Sequence, residues 1–234
     1  MDTTNLIQTV SVYAIPVIFA ITLHEAAHGY AAKYFGDNTA YMMGRVTLNP
    51  FPHIHLVGTI LLPLLLYFST SGALLFGFAK PVPVDFGNLR HPKRDMVWVA
   101  LAGPASNLVQ AIVWALLFVV YTDFGVSEKF FLAMCKAGVL SNVVMFAFNL
   151  FPLPPLDGGR IVVGLLPWKQ AYQFSRVEPY GFYIVMALVI TGVVNHLWLD
   201  PVMNATFGLI PVSYTHLRAH ETGRNLVCRL LLEK

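Results

Sequence analysis

Three residues near the N-terminus have the types and spacing to do chemistry together. His24, Glu25 and His28 fall within the apolar run IPVIFAITLHEAAHGYAAKYFGD, residues 15–37. On an α-helix, residues four apart lie about 40° apart in projection, so His24 and His28 face one way about one turn apart, a spacing suited to gripping a single metal ion. Glu25 lies about 60° from His28, where a carboxylate reaches a water on the metal without having to ligate it. In this H-E-x-x-H pattern neutral imidazoles bind Zn²⁺, the ion lowers the pKa of its water to about 7, and the glutamate takes the proton as that water attacks a carbonyl. Each of the three side chains is costly inside a bilayer, which weighs against a chance match.

A catalytic zinc takes three protein ligands and keeps a fourth position open, so a third donor must come from elsewhere in the chain. The candidate is Asp157, in NLFPLPPLDGGRI, residues 149–161. Pro152, Pro154 and Pro155 remove backbone donors and Gly158 and Gly159 permit unusual φ, so this is irregular backbone, tolerated at membrane depth only where it is buried in protein or lines a wet cavity. Taken alone, the same composition also fits an ordinary interfacial turn.

The elements that must position these residues are transmembrane helices. The 234 residues are 56% hydrophobic and 12% charged, with a mean hydropathy of +0.63, far from the roughly 25% charge of soluble domains. Several stretches approach the roughly 20 apolar residues needed to cross the bilayer, and the alternation of barrel strands is missing, so the fold class is all-α and polytopic. Four spans are predicted: Tyr13–Ala32, Met96–Tyr121, Phe130–Leu150 and Tyr180–Trp198. The net charge of +3 resides in the loops between spans and reports orientation, not a nucleic-acid partner.

The stretch Leu56–Phe78 is long enough to cross but carries Pro63 and the polar break Ser69-Thr70-Ser71-Gly72. If it is re-entrant, Lys33, Arg45, Lys80, Arg90, Lys93, Arg94, Arg160, Lys169 and Arg176 share one side, leaving Lys129 on the other. If it crosses, Lys33 and Arg45 change sides and the bias weakens. The positive-inside rule favours re-entry, with an external N-terminus and a cytoplasmic Lys33–Asp95 loop. Re-entry also lets the ends of two spans, one carrying His24 and His28 and the other leading to Asp157, share a face.

HEAAHGYAAKYFGD, ALAGPASNL and NLFPLPPLDGGRI, in that order on separate hydrophobic spans, resemble the site-2 protease family of intramembrane zinc metallopeptidases. The likeness runs from about Tyr13 to Ile161 and weakly through the last span. It implies one zinc held by His24, His28 and Asp157, with Glu25 as general base and Asn149 as a polar group near the reacting carbonyl. It further implies a core of three helices around a zinc set toward the cytoplasmic side, and substrates that are themselves transmembrane proteins. Gly103, Pro104 and Asn107 match the middle motif, where small residues allow close helix contact and Asn107 hydrogen-bonds across helices. The lack of PDZ or CBS insertions points to a prokaryotic plasma membrane.

A metal or ion transporter would also place such residues beside broken helices, but no inverted repeat is visible. A catalytically inactive scaffold would have no need of Glu25. His53 and His55 are weighed as a second metal site and read as polar anchors. Gly77–Leu89 is read either as a short extended strand on which an unwound substrate could pair or as a plain connector, and Asn142 as interhelical glue. Residues 1–211 form one transmembrane domain. Residues 212–234, polar and basic, are expected to be a non-native tail, so His216 and His220 are not counted as ligands. Cys135 and Cys228 offer no disulfide framework or thiolate zinc site.

Overall fold

A computed structural model describes residues 3–61, 65, 80–126 and 128–210. The expected tail and most of the Leu56–Phe78 stretch lie outside the described residues. Helix α1 spans Thr3–Phe35 and is followed by the short α2, Thr39–Met42. Two long helices come next, α3 from Pro92 to Asp123 and α4 from Lys129 to Asn149. The chain then forms α5 (Asp157–Leu165), α6 (Trp168–Ser175), α7 (Glu178–Ile190) and α8 (Asp200–Leu209). Helices α1, α3 and α4 are long and apolar enough to cross a membrane, and the protein is a multi-pass, all-helical membrane protein.

Local chemistry sets the helix ends. Gly36, at φ +116°, stops α1 in a conformation that side chains resist. Pro92 opens α3 at a position that needs no N–H, and the Asp95 carboxylate reaches back to accept the His91 N–H at 2.8 Å. Arg90 N–H donates to Phe35 C=O at 2.9 Å, so the chain returns to the end of α1 just before α3 begins. Asp37 ties this junction together. Its Oδ1 accepts the Thr39 N–H and hydroxyl and its Oδ2 the Asp85 N–H. Burial pushes the Asp37 pKa up, but the hydrogen bonds from Thr39, Asp85 and Asn88 outweigh it and hold the carboxyl below its ordinary range.

The three long helices pack on one another, and α5 packs against α3. Close approach comes from small residues: Ala20, Ala26 and Ala32 of α1 are fully buried, and Gly138 of α4 lies against the Trp114 ring, where a Cβ would overlap it. A polar clasp crosses this interface, Asn107 Nδ2 donating to Asn142 Oδ1 at 2.9 Å, so Asn142 is interhelical as expected. In the main apolar cluster Ala111, Ala115, Val139, Val143 and Ala147 of α3 and α4 meet Val185, Val189 and Leu199.

Two expectations are corrected. The span read at Tyr180–Trp198 is not one straight helix: α7 ends at Ile190, Gly192 takes φ +75°, and the chain turns through 85° into Asn195–Leu209. A glycine free to adopt positive φ makes the break, and Trp198 Nε1 fastens the far arm by donating to Ala147 C=O at 2.8 Å. The strand read within Gly77–Leu89 is also not found among the described residues. Lys80–Asp85 is non-helical chain, and Phe86–Asn88 closes into a 3₁₀ turn capped by the Asp85 side chain.

Candidate metal centre

His24 and His28 project from α1 toward the first turn of α5, where Asp157 is the opening residue. The three side chains are 7%, 12% and 14% exposed. His24 Nε2 lies 3.1 Å from His28 Nε2, and each is 3.3 Å from Asp157 Oδ2. A tetrahedral zinc with bonds of about 2.0–2.1 Å separates its ligand atoms by about 3.3–3.4 Å, so the triangle is the right size for one such ion.

The hydrogen bonds behind the histidines fix what the triangle presents. Asn142 Nδ2 donates to Gly138 C=O, which leaves its Oδ1 as the acceptor for Asn107. Asn107 Nδ2 donates to that oxygen and to Ala20 C=O, so Asn107 Oδ1 faces His24 Nδ1, at 2.6 Å, as an acceptor. His24 Nδ1 therefore carries the proton. His28 Nδ1 meets Val99 C=O at 2.7 Å, which can only accept, so its proton is on the same nitrogen. In neutral imidazoles both Nε2 lone pairs then point at Asp157 Oδ2, a buried oxygen with no hydrogen-bond partner among the described residues. Three acceptors converging without a proton among them call for a cation.

Glycines make this approach possible. A Cβ on Gly103 would overlap both imidazoles. A Cβ on Gly158 would run into the Leu150 carbonyl, and one on Gly159 into the Pro154 nitrogen. The Asp157-Gly158-Gly159 run thus lets α5 start directly against the turn that leaves α4. At its N-terminus, the Asp157 carboxylate also faces the positive end of the helix dipole.

Glu25 sits beside the triangle but outside it, its Oε2 accepting the Val82 N–H at 2.7 Å. Asn149 is the last residue of α4, its Nδ2 donating to Met145 C=O at 3.0 Å. His53 and His55 take no part. His53 is buried against Thr47 C=O, and His55 Nδ1 accepts the Gly58 N–H. Among the described residues His24, His28 and Asp157 are the group placed to hold a metal. Reading the sequence alone missed the links from Asn107 to His24 and from Val82 to Glu25, because the partners lie 83 and 57 residues apart.

The chain is 38% identical over 201 residues to the Bacillus subtilis protein named "Putative zinc metalloprotease YwhC", a match covering 82% of this chain and 85% of that one. It belongs to Peptidase family M50. The family's own pattern matches residues 123–192. Rip2 of Mycolicibacterium smegmatis, whose name carries the same description, is 30% identical over 203 residues, covering 85% of this chain and 75% of the relative. Zinc metalloprotease MJ0392 of Methanocaldococcus jannaschii is 25% identical over 162 residues, or 69% of this chain and 36% of the relative. No solved structure matches. This M50 protein is accordingly a membrane zinc metalloprotease of the site-2 type.

Proposed function

We propose that the protein hydrolyses peptide bonds within or next to the transmembrane helices of membrane-protein substrates, the chemistry of regulated intramembrane proteolysis. His24 Nε2, His28 Nε2 and Asp157 Oδ2 hold the zinc, and the observation that carries this reading is their triangle, set among helices apolar enough to span a bilayer. The bound ion supplies Lewis-acid polarisation of the scissile carbonyl and an acidified water. Asn107 and the Val99 carbonyl keep both imidazoles turned toward it. Glu25, one residue from His24 and held by the Val82 N–H, keeps Oε1 for the proton of the attacking water and passes it to the leaving amine. Asn149 commits one Nδ2 proton to Met145 C=O and has the second for the oxyanion.

The site belongs on the cytoplasmic side of a plasma membrane. Both ends of the 36–91 connection meet at the end of α1, through Arg90 to Phe35 and Asp85 to Asp37, which supports a stretch that enters and leaves by one face. Residues 1–211 act as one domain, and 212–234 are foreign to it.

The test pairs metal content with cleavage. The protein truncated after Pro211 is purified in detergent, zinc per chain is measured, and a panel of transmembrane-helix substrates is assayed. The wild type is expected to hold one zinc and to cleave. Glu25→Gln is expected to keep the zinc and lose cleavage by at least about 100-fold, the scale of losing a positioned general base. Zinc near zero in a well-folded wild type overturns the reading.

A further inference from the structure

The hydrogen bond to Glu25 comes from an unusual piece of chain. In Lys80-Pro81-Val82-Pro83-Val84-Asp85 the prolines have no N–H, so Val82 offers the single backbone donor of residues 81–83. Each proline also drives the residue before it, Lys80 and Val82, toward extended backbone. The segment is moored on both sides of Val82. Lys80 N–H donates to His53 C=O at 2.9 Å, and Asp85 N–H donates to Asp37 Oδ2 at 2.8 Å.

A third mooring is Arg45. This arginine is 8% exposed, and its Nη2 donates to Lys80 C=O at 2.9 Å and to Pro81 C=O at 3.2 Å. The Pro81 carbonyl and the Val82 N–H belong to one peptide unit, which is trans, so the two groups point in opposite directions. One face of that peptide therefore meets a guanidinium and the other meets the Glu25 carboxylate. A cation at the oxygen polarises the peptide and strengthens the N–H bond on the far side. The arrangement runs as one line, from Arg45 through Pro81–Val82 to Glu25.

We propose that Arg45 is a positioning residue for the general base, fixing the Glu25 carboxylate through the Pro81–Val82 peptide so that Oε2 is occupied and Oε1 faces the reacting water. This rests on the reading of Glu25 as the base. Losing the link leaves the zinc ligands untouched and lets Glu25 sample other rotamers, so turnover falls while substrate affinity does not.

Two measurements test it. In kinetics, Val82→Pro, which deletes the N–H, is expected to lower kcat about tenfold below Val82→Ala, which keeps it, with KM changed less than about twofold and zinc still one per chain. Arg45→Met is expected to lose a similar factor, and Arg45→Lys, which restores a cation and one donor, to recover part of it. Equal kcat for the two Val82 variants overturns the proposal. The second readout needs no cleavage. Residues 80–85 carry backbone N–H groups at Lys80, Val82, Val84 and Asp85 alone, and those of Lys80 and Asp85 bond to His53 and Asp37, so the difference in exchange between the wild type and Glu25→Ala reads the Val82 contact. The Val82 amide is expected to be protected in the wild type and in Glu25→Gln, and to exchange faster in Glu25→Ala and Arg45→Met. Equal exchange in the wild type and Glu25→Ala overturns the proposal. A wild type that holds zinc but cuts nothing in the panel overturns the base reading instead, and the positioning role with it.

Discussion

Asn107 is fully buried and spends its whole side-chain amide on three partners from two helices, accepting from His24 of α1, donating to Ala20 C=O of α1 and donating to Asn142 of α4. Groups that hold the far nitrogen of a ligating histidine typically govern 10–100-fold in metal affinity. Asn107→Leu keeps the volume and removes the acceptor, so zinc affinity measured by competition with a chromophoric chelator is expected to fall by that factor, about 10–100-fold, while helical content is retained. A variant that binds zinc as tightly as the wild type would show that His24 needs no orienting partner. The type and spacing of His24, Glu25 and His28 were legible because such residues are expensive in lipid. Asn107 was legible only as an interhelical polar group: which atom it serves depends on the rotation of α3 against α1, and no local pattern encodes that rotation.

At the scale of the element, α5 is placed by backbone meeting backbone. Gly159 lies where a Cβ would strike the Pro154 nitrogen and the Leu153 carbonyl carbon. Neither atom can yield as a flexible side chain could, so Gly159→Ala must push α5 and Asp157 away from the histidines. The cost expected of such overpacking is about 1–3 kcal/mol. Zinc per chain is expected to drop well below one, with a lower unfolding temperature in detergent. Gly208 in α8 is the control, since a Cβ there meets nothing within 4 Å. Gly208→Ala is expected to keep its zinc and to be neutral or more stable by up to about 1 kcal/mol, the helix-propensity difference between the two residues. The same contrast explains what the sequence could and could not tell about elements. The long apolar runs announced α1, α3 and α4, while Gly192, an unremarkable glycine in an apolar run, gave no sign that the last span would turn through 85°. The Lys80–Asp85 segment reads as a strand from its alternating valines, yet two prolines strip it of the donors a ladder needs, and its carbonyls go to Arg45.

For the whole molecule, the arrangement of the long helices dictates a sidedness that can be measured. Arg90 bonds back to Phe35, so α1 and α3 run antiparallel from a shared end. After the short connection that follows Asp123, α4 runs back toward that same end, where Asp157 waits for the histidines. This geometry puts Met42 and Gln170, both exposed, on the face near the metal donors, and the exposed Glu128 on the opposite face. Lys33, Arg90, Lys93, Arg94 and Arg160 lie toward the first face, so the positive-inside rule predicts that face to be the cytoplasmic one. With Cys135 replaced by alanine and the chain ended at Pro211, single cysteines can be read with a membrane-impermeant maleimide on intact spheroplasts. Glu128→Cys is expected to label from outside, and Met42→Cys and Gln170→Cys only after lysis. A Met42 label from outside together with a protected Gln170 would mean that residues 56–78 cross the bilayer once. The Arg90 to Phe35 bond could not then form, and the histidines and Asp157 would stand at opposite ends of the molecule with no common metal to hold.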